Sequence, residues 1–220
     1  MTDTATLVRL MTWLSPTFPV GGFNYSHGLE QAVARGLVTT RASLEDWIGS
    51  LLRHGSAWND AVLLAEAWRV ATAGGDLSEV SELAEALAGS AERHLETVNQ
   101  GVAFLAASRA WPLPVHEKLG EGAAWPVAVG AVAGAAGIAL QPTLAAFLHA
   151  FAANQVQAAL RLMPIGQASG VAVMAALESQ IRTVAAHAEQ SGLDDLGSSA
   201  INAEIAAINH ETLNSRIFRT

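Results

Sequence analysis

The sequence predicts an all-α protein: a single globular helical domain of roughly ten helices with no sheet. Three observations carry that expectation. Apolar residues recur at helical spacing along most of the chain. No segment shows the strict alternation of a half-buried strand. Proline and glycine punctuate the periodic stretches where helices must stop. The 220 residues suffice to bury one core, and no repeat of roughly 20–50 residues points to a solenoid.

Taken in order, Leu7, Leu10, Met11 and Leu14 form the first apolar stripe, which Pro16 ends. Ser43 is the expected N-cap of the next clear helix, with Asp46 three residues on. That helix places Leu44, Trp47, Ile48, Leu51 and Leu52 on one face. Asp76 is expected to cap a short acidic helix reaching Glu85, and Ser90 to open a longer one facing Leu95, Val98, Val102 and Leu105 inward. Pro112, Pro114, Gly120 and Gly122 mark Trp111–Gly122 as the main internal loop. Pro142 suits the first turn of a long helix whose stripe runs through Leu144, Phe147, Leu148, Phe151, Gln155, Ala159 and Met163. Pro164 and Gly166 break it, and another helix spans about Ser169 to His187. An acidic linker, Glu189 to Gly197, precedes a last helix with Ile201, Ile205 and Ile208 as its inward stripe. Residues 1–220 are thus expected as one domain, with 1–24 an N-terminal helix and Pro/Gly loop and 214–220 a docking tail.

Composition excludes several functions. Hydrophobic residues make up 51% and charged residues 15%, which argues against disorder. A net charge of -8 is wrong for holding nucleic-acid phosphates. The absence of cysteine removes disulfides, zinc–thiolate sites and thiol catalysis. No Gly-rich phosphate loop, G-x-S-x-G elbow or H-E-x-x-H motif is present, so no catalytic residue is assigned and an enzyme is not expected. The start, Met1-Thr2-Asp3-Thr4, lacks a basic n-region, so no signal peptide is expected and a cytoplasmic location is the default. Ala123 to Leu140 carries no charge, but its Ala, Gly and Pro126 content and lack of basic flanks suit a buried helix better than a membrane span. Gly130 and Gly134, one turn apart, would let another helix approach closely.

Several residues are candidates for binding. The segment Phe18-Pro19-Val20-Gly21-Gly22-Phe23-Asn24-Tyr25 is a shaped, non-helical stretch, because paired glycines permit positive φ and proline fixes an extended approach. Its rings Phe18, Phe23 and Tyr25 either cap the core or form a binding surface. His27 and Glu30, three apart, would share a helical face. Two ligands do not complete a metal site, and the seven histidines are scattered, so no metal site is assigned and no cofactor is expected. Asn154 and Gln155 interrupt an apolar helix; they either knit the core or line a polar passage, and in either case need partners. The tail places Arg216, Phe218 and Arg219 where chains are usually frayed, so it is expected to order by docking on its own domain or on a partner.

Three segments together resemble the urease accessory protein family UreF. Leu14-Ser15-Pro16-Thr17-Phe18-Pro19-Val20-Gly21-Gly22-Phe23-Asn24-Tyr25-Ser26-His27-Gly28-Leu29-Glu30 is similar to that family's Pro-Val-Gly-x-Phe-x-Tyr-Ser-x-Gly-Leu-Glu signature. Asn154-Gln155-Val156 through Arg161-Leu162-Met163-Pro164-Ile165-Gly166-Gln167 resembles its late helix and Pro-x-Gly-Gln exit, and His210-Glu211-Thr212 with Ser215-Arg216-Ile217-Phe218-Arg219 its C-terminal signature. Between Gly74 and Gly122 the match is looser: where members carry an Arg-Glu-rich pattern leading to Gln-Met-Gly or Gln-Thr-Gly, this chain has Glu92-Arg93, Glu96 and Val98-Asn99-Gln100-Gly101. The resemblance implies a helical, dimer-forming protein that bridges UreD (also called UreH) to the GTPase UreG on the urease apoprotein subunits, so that nickel is loaded into the urease active site. A second reading is a regulator of GTP hydrolysis on UreG. Neither reading involves nucleic acid or a membrane.

Overall fold

A computed structural model describes residues 3–120 and 122–220; the start of the acidic N-terminal stretch, Met1 and Thr2, and one position of the Trp111–Gly122 segment lie outside them. Among the described residues there are eleven α-helices and no strand. They are α1 (Thr4–Trp13), α2 (Leu29–Ala34), α3 (Arg41–His54), α4 (Ser56–Thr72), α5 (Ser78–Ala86), α6 (Ala91–Ser108), α7 (Val115–Lys118), α8 (Trp125–Ala135), α9 (Leu140–Leu162), α10 (Gln167–Ala188) and α11 (Ile201–His210). The helical class read from the sequence is the class observed.

The architecture is built around α8, with Val127 through Gly134 buried and α4, α5, α6, α7 and α9 packed about it. Its glycines work as their spacing predicts. A Cβ added at Gly130 would lie 2.2 Å from the Leu64 carbonyl oxygen, and one at Gly134 would lie 2.7 Å from that of Trp68. The α4 and α8 backbones therefore touch, and α8 is a central core helix. No helix among the described residues is long and apolar enough to cross a membrane. An aromatic column ties the outer elements to this centre: Trp13 meets Phe104 and Trp111 edge-on, Phe18 meets Phe104, and Trp125 links Phe104 to Phe147. The acidic linker is held down by Arg69, which donates to the Glu189 and Ser191 carbonyls, and by Trp58, which donates to Asp195 O.

Several local expectations need correction, two of them for one steric reason. In α11 the isoleucines face outward, with Ile201 62% exposed, while Ala203, Ala206 and His210 are buried. A Cβ at Gly28 would sit 2.7 Å from Ala207 N, so α11 lies too close to the start of α2 for a branched side chain to intervene. The same holds on α6, where Leu95 and Val102 are exposed and the buried face is Glu96, Thr97, Gln100, Gly101, Phe104, Leu105 and Ser108. There a Cβ at Gly101 would overlap Ala123 O at 1.8 Å. On α1 only Leu10 and Trp13 are buried; Leu7 and Met11 point to solvent. The α3 cap is Thr40, which forms a reciprocal capping box with Ser43 at the third helical position. Within Trp111–Gly122 the short α7 forms, anchored where the His116 ring meets the Ser108 hydroxyl.

Replacing Gly130 by alanine is expected to cost at least about 1–3 kcal/mol, because neither backbone can yield. Gly166→Ala, with nothing within 4 Å of the new Cβ, should stay within about 0.5 kcal/mol. Urea denaturation of both variants checks the contrast.

Candidate functional site

The 14–28 loop is shaped by backbone conformation before any side chain acts. Gly21 (φ 72°) turns the chain into a short 3-10 turn, Gly22–Asn24, and His27 (φ 51°) and Gly28 (φ 77°) turn it again into α2. A histidine in the left-handed region is uncommon and needs its surroundings to hold it there. Here the His27 amide donates to Thr220 Oγ1 (3.3 Å) and its Nε2 lies 2.7 Å from Glu96 Oε1.

Glu96, 1% exposed, is the centre of that surrounding. Besides His27, its carboxylate receives Arg93 Nη1 at 2.7 Å, Gln100 Nε2 at 3.0 Å and the Thr220 hydroxyl at 3.1 Å. Burial by itself pushes the carboxyl upward; the charges of Arg93 and His27 and their hydrogen bonds outweigh it and hold Glu96 at about 2. Asp60 sits at the edge, 3.6 Å from Arg93 Nη2. Burial raises its carboxyl above the ordinary range, against the pull of Arg93 and His27. Burial likewise works against the Arg93 charge, but Glu96 and Asp60 win and raise its pKa.

A second acidic cluster lies beside the first. Glu30 accepts from the consecutive amides of Ile217 (2.7 Å) and Phe218 (2.9 Å), and its Oε2 is 3.1 Å from His210 Nε2. The other ring nitrogen of His210 is 2.7 Å from Glu92 Oε2, and Arg216 closes on Glu92 Oε1. Phe218, buried at 4% exposure, lies under the Arg161 guanidinium, 4.3 Å from ring centre to Cζ. Arg219 N donates to Asn24 O at 2.8 Å, and the Ser26 amide and hydroxyl bond to Thr220. The tail therefore orders on its own domain.

The structure brings most of the sequence candidates into one region but redistributes them. Phe18 and Tyr25 are buried as core caps, whereas Phe23 is 65% exposed; Pro19 and Arg219 are exposed, and Gly21 and Gly22 form the turn between. His27 and Glu30 do not pair, because His27 precedes α2 in a left-handed turn, and each faces a different partner. Asn154 donates to Tyr25 O (3.1 Å) and so fastens the loop. Gln155 is fully buried, and neither of its amide atoms has a hydrogen-bond partner among the described residues. Sequence reading met Glu92, Arg93, Glu96, Gln100, Arg161 and His210 only within the family-like segments and gave them no site role. The signal was present: Arg93, Glu96 and Gln100 stand at i, i+3 and i+7, a polar stripe beside the aromatic Phe104. Among the described residues no group of three or more His, Cys, Asp or Glu is arranged to hold a metal ion.

Beside this network opens a cleft of about 910 Å³ between α1, the loop and α9. Leu7, Met11, Phe23 and Arg161 stand at its mouth, and His27, Arg93 and Glu96 form part of its lining.

Fold and site thus define an all-helical protein with an apolar cleft beside a strapped-down tail. A sequence model of the UreF family matches residues 38–178, and the chain belongs to that family. It is 57% identical over 217 residues to urease accessory protein UreF 1 of Brucella canis, covering 99% of this chain and 95% of that one. It is also 57% identical over 214 residues to urease accessory protein UreF of Rhizobium leguminosarum bv. viciae, covering 97% and 96%. Over 220 residues it is 56% identical to the Brucella anthropi UreF 1, covering 100% and 96%.

Because Glu96 falls from 4.5 unfolded to about 2 folded, its stabilisation is complete above pH 4.5 and is lost as pH drops toward 2. Asp60, shifted upward, works the other way and offsets part of that loss in acid. Glu96→Gln should flatten the acid limb of a stability–pH series and cost on the order of 3 kcal/mol at pH 7, read by urea denaturation.

Proposed function

We propose that this chain serves urease assembly as a protein-binding scaffold with no chemistry of its own, bridging UreD (UreH) to the GTPase UreG on the urease apoprotein subunits. In that role it supports GTP-dependent insertion of nickel, which is cargo here rather than a resident cofactor. The observation that carries the reading is the apolar mouth of the cleft. Leu7, Met11 and Phe23, all half or more exposed, line that cleft together, the kind of exposed apolar cluster that marks interaction sites. Exposed aromatics beside arginines are the residue types that anchor interfaces, and the docked tail adds Arg216 and Arg219 to the same region. A homodimer in the cytoplasm is part of the same reading, supported by the outward isoleucines of α11.

A second reading, control of GTP hydrolysis on UreG, has one specific support. Arg219 is exposed, and its backbone amide is bonded to Asn24 O, next in sequence to the cleft-lining Phe23. Arg219→Ala would then lower stimulated hydrolysis on the order of 10³-fold while binding persists.

The scaffold reading is tested by co-purification. Met11→Glu with Phe23→Ala, and separately deletion of Ser215–Thr220, should each weaken UreD capture at least about tenfold and lower urease activation in a co-expression assay. Unchanged capture by both would refute the placement of UreD on this face.

A further inference from the structure

We propose that α7, Val115–Lys118, is an acid-released latch: the neutral His116 ring holds it on α6, and the ring lets go when it takes a proton. None of the residues that carry the scaffold reading takes part, so the inference goes beyond that reading and does not depend on it.

The segment around α7 has few other holds. Pro112 and Pro114 have no backbone donor to give, and α7 itself is a single turn. Val115 and Leu119 are its buried apolar anchors, and Trp111 stands edge-on to Trp13. Lys118 donates to Gly74 O at 2.7 Å and Arg109 to Gly120 O at 3.4 Å, both from exposed side chains. His116 is the buried polar hold, at 3% exposure. Its Nε2 lies 2.9 Å from the hydroxyl of fully buried Ser108, and its Nδ1 lies 3.1 Å from Leu113 O. A turn tied down this way belongs to the low-stability end of a fold.

Protonation of that ring costs no hydrogen bond. Ser108 carries one hydrogen and has two acceptors in reach, His116 Nε2 and Leu105 O at 3.2 Å. With Ser108 turned to Leu105, a charged ring donates to Ser108 Oγ and to Leu113 O. What it lacks is a counter-charge. Its partners among the described residues are Ser108 and the Leu113 backbone, and no carboxylate. Helix α8, packed against α7, carries no ionisable side chain, and α6 brings only the cation Arg109 at its end. On α7 itself Glu117 and Lys118 are exposed. Burial holds the His116 ring below its ordinary 6.5; the bond to Leu113 O pulls the other way, and the Arg109 charge adds to burial.

A ring released to water regains 6.5, so the released form takes the proton first. The seated latch is therefore fully favoured above pH 6.5 and loses ground as pH falls below it. Release uncovers Val115 and Leu119. It also withdraws Lys118 from the Gly74 carbonyl, and with it one wall of a cleft of about 610 Å³ that Asp76, Ser81 and Glu82 line from the other side.

Hydrogen-exchange mass spectrometry on the full chain at pH 7.5 and 5.8, with rates scaled to those of unstructured peptide, tests this. Peptides within 109–120 should open about three- to fivefold more at pH 5.8, about five being the ceiling for a released ring at 6.5. Peptides of α8 should not change. His116→Gln keeps a polar side chain that cannot titrate, and should bring the ratio between the two pH values to about one. A ratio near one in the unmodified chain, opening of α8 in step with 109–120, or a ratio that persists in His116→Gln overturns the proposal. Should His116→Gln unseat α7 at both pH values, the imidazole proton resonances of the unmodified chain decide. Titration of His116 below 6.5 supports the latch, and titration at or above 6.5 overturns it.

Discussion

A single buried carboxylate organises this molecule. Glu96 gathers a ring from the loop, a guanidinium and an amide from its own helix, and a hydroxyl from the end of the tail. Such a cluster is poor evidence for net stability, since desolvating the charges offsets most of the attraction. What it supplies is uniqueness. This arrangement of loop, α6 and tail gives the Glu96 carboxylate four partners, and removing any of them leaves a buried charge under-bonded. The neighbouring Glu30 seat repeats the principle, with two backbone amides and a histidine converging on one side chain.

The second constraint is close approach of backbones. Glycines at 28, 101 and 130 let α11 settle on α2, α6 on the segment entering α8, and α4 on α8. Where backbones touch, large side chains have no room inward, and they are displaced to the outside. The isoleucines of α11 and Leu95 and Val102 of α6 are exposed for that reason. Apolar surface that ordinary helix packing would bury is instead exposed, which suits the protein-binding role proposed above. The apolar face of α1 joins it at the cleft, beside the one loop aromatic that the core did not take, Phe23.

Reading the chain locally succeeded at several points where local physics decides, although the cap of α3 fell at Thr40 and not at Ser43. Ser90 does cap α6, Pro142 does lie in the first turn of α9, and the glycine pair of α8 does admit α4. It failed where a helix face is chosen by a distant neighbour. Periodicity identifies an apolar stripe on α6 and α11, but which stripe turns inward depends on how near the next backbone lies. His27 and Glu30 illustrate the same limit: their spacing promised a pair, and a left-handed turn between them sent each to a residue far away in the chain.

The amino-acid sequence by itself determined the helical class, most of the breaks between helices, the kinked glycine loop and a tail too aromatic and basic to fray. These follow from backbone propensity and short-range spacing, which act within a few residues. The tertiary structure alone decided that Glu30, Glu92 and Glu96 hold that tail, that His210 stands between two of them, and that Phe23 faces solvent while Phe18 and Tyr25 do not. Those outcomes depend on contacts such as Thr220 with Glu96, 124 positions apart. Spacing carries no information at that range, whereas the need to pair every buried charge does.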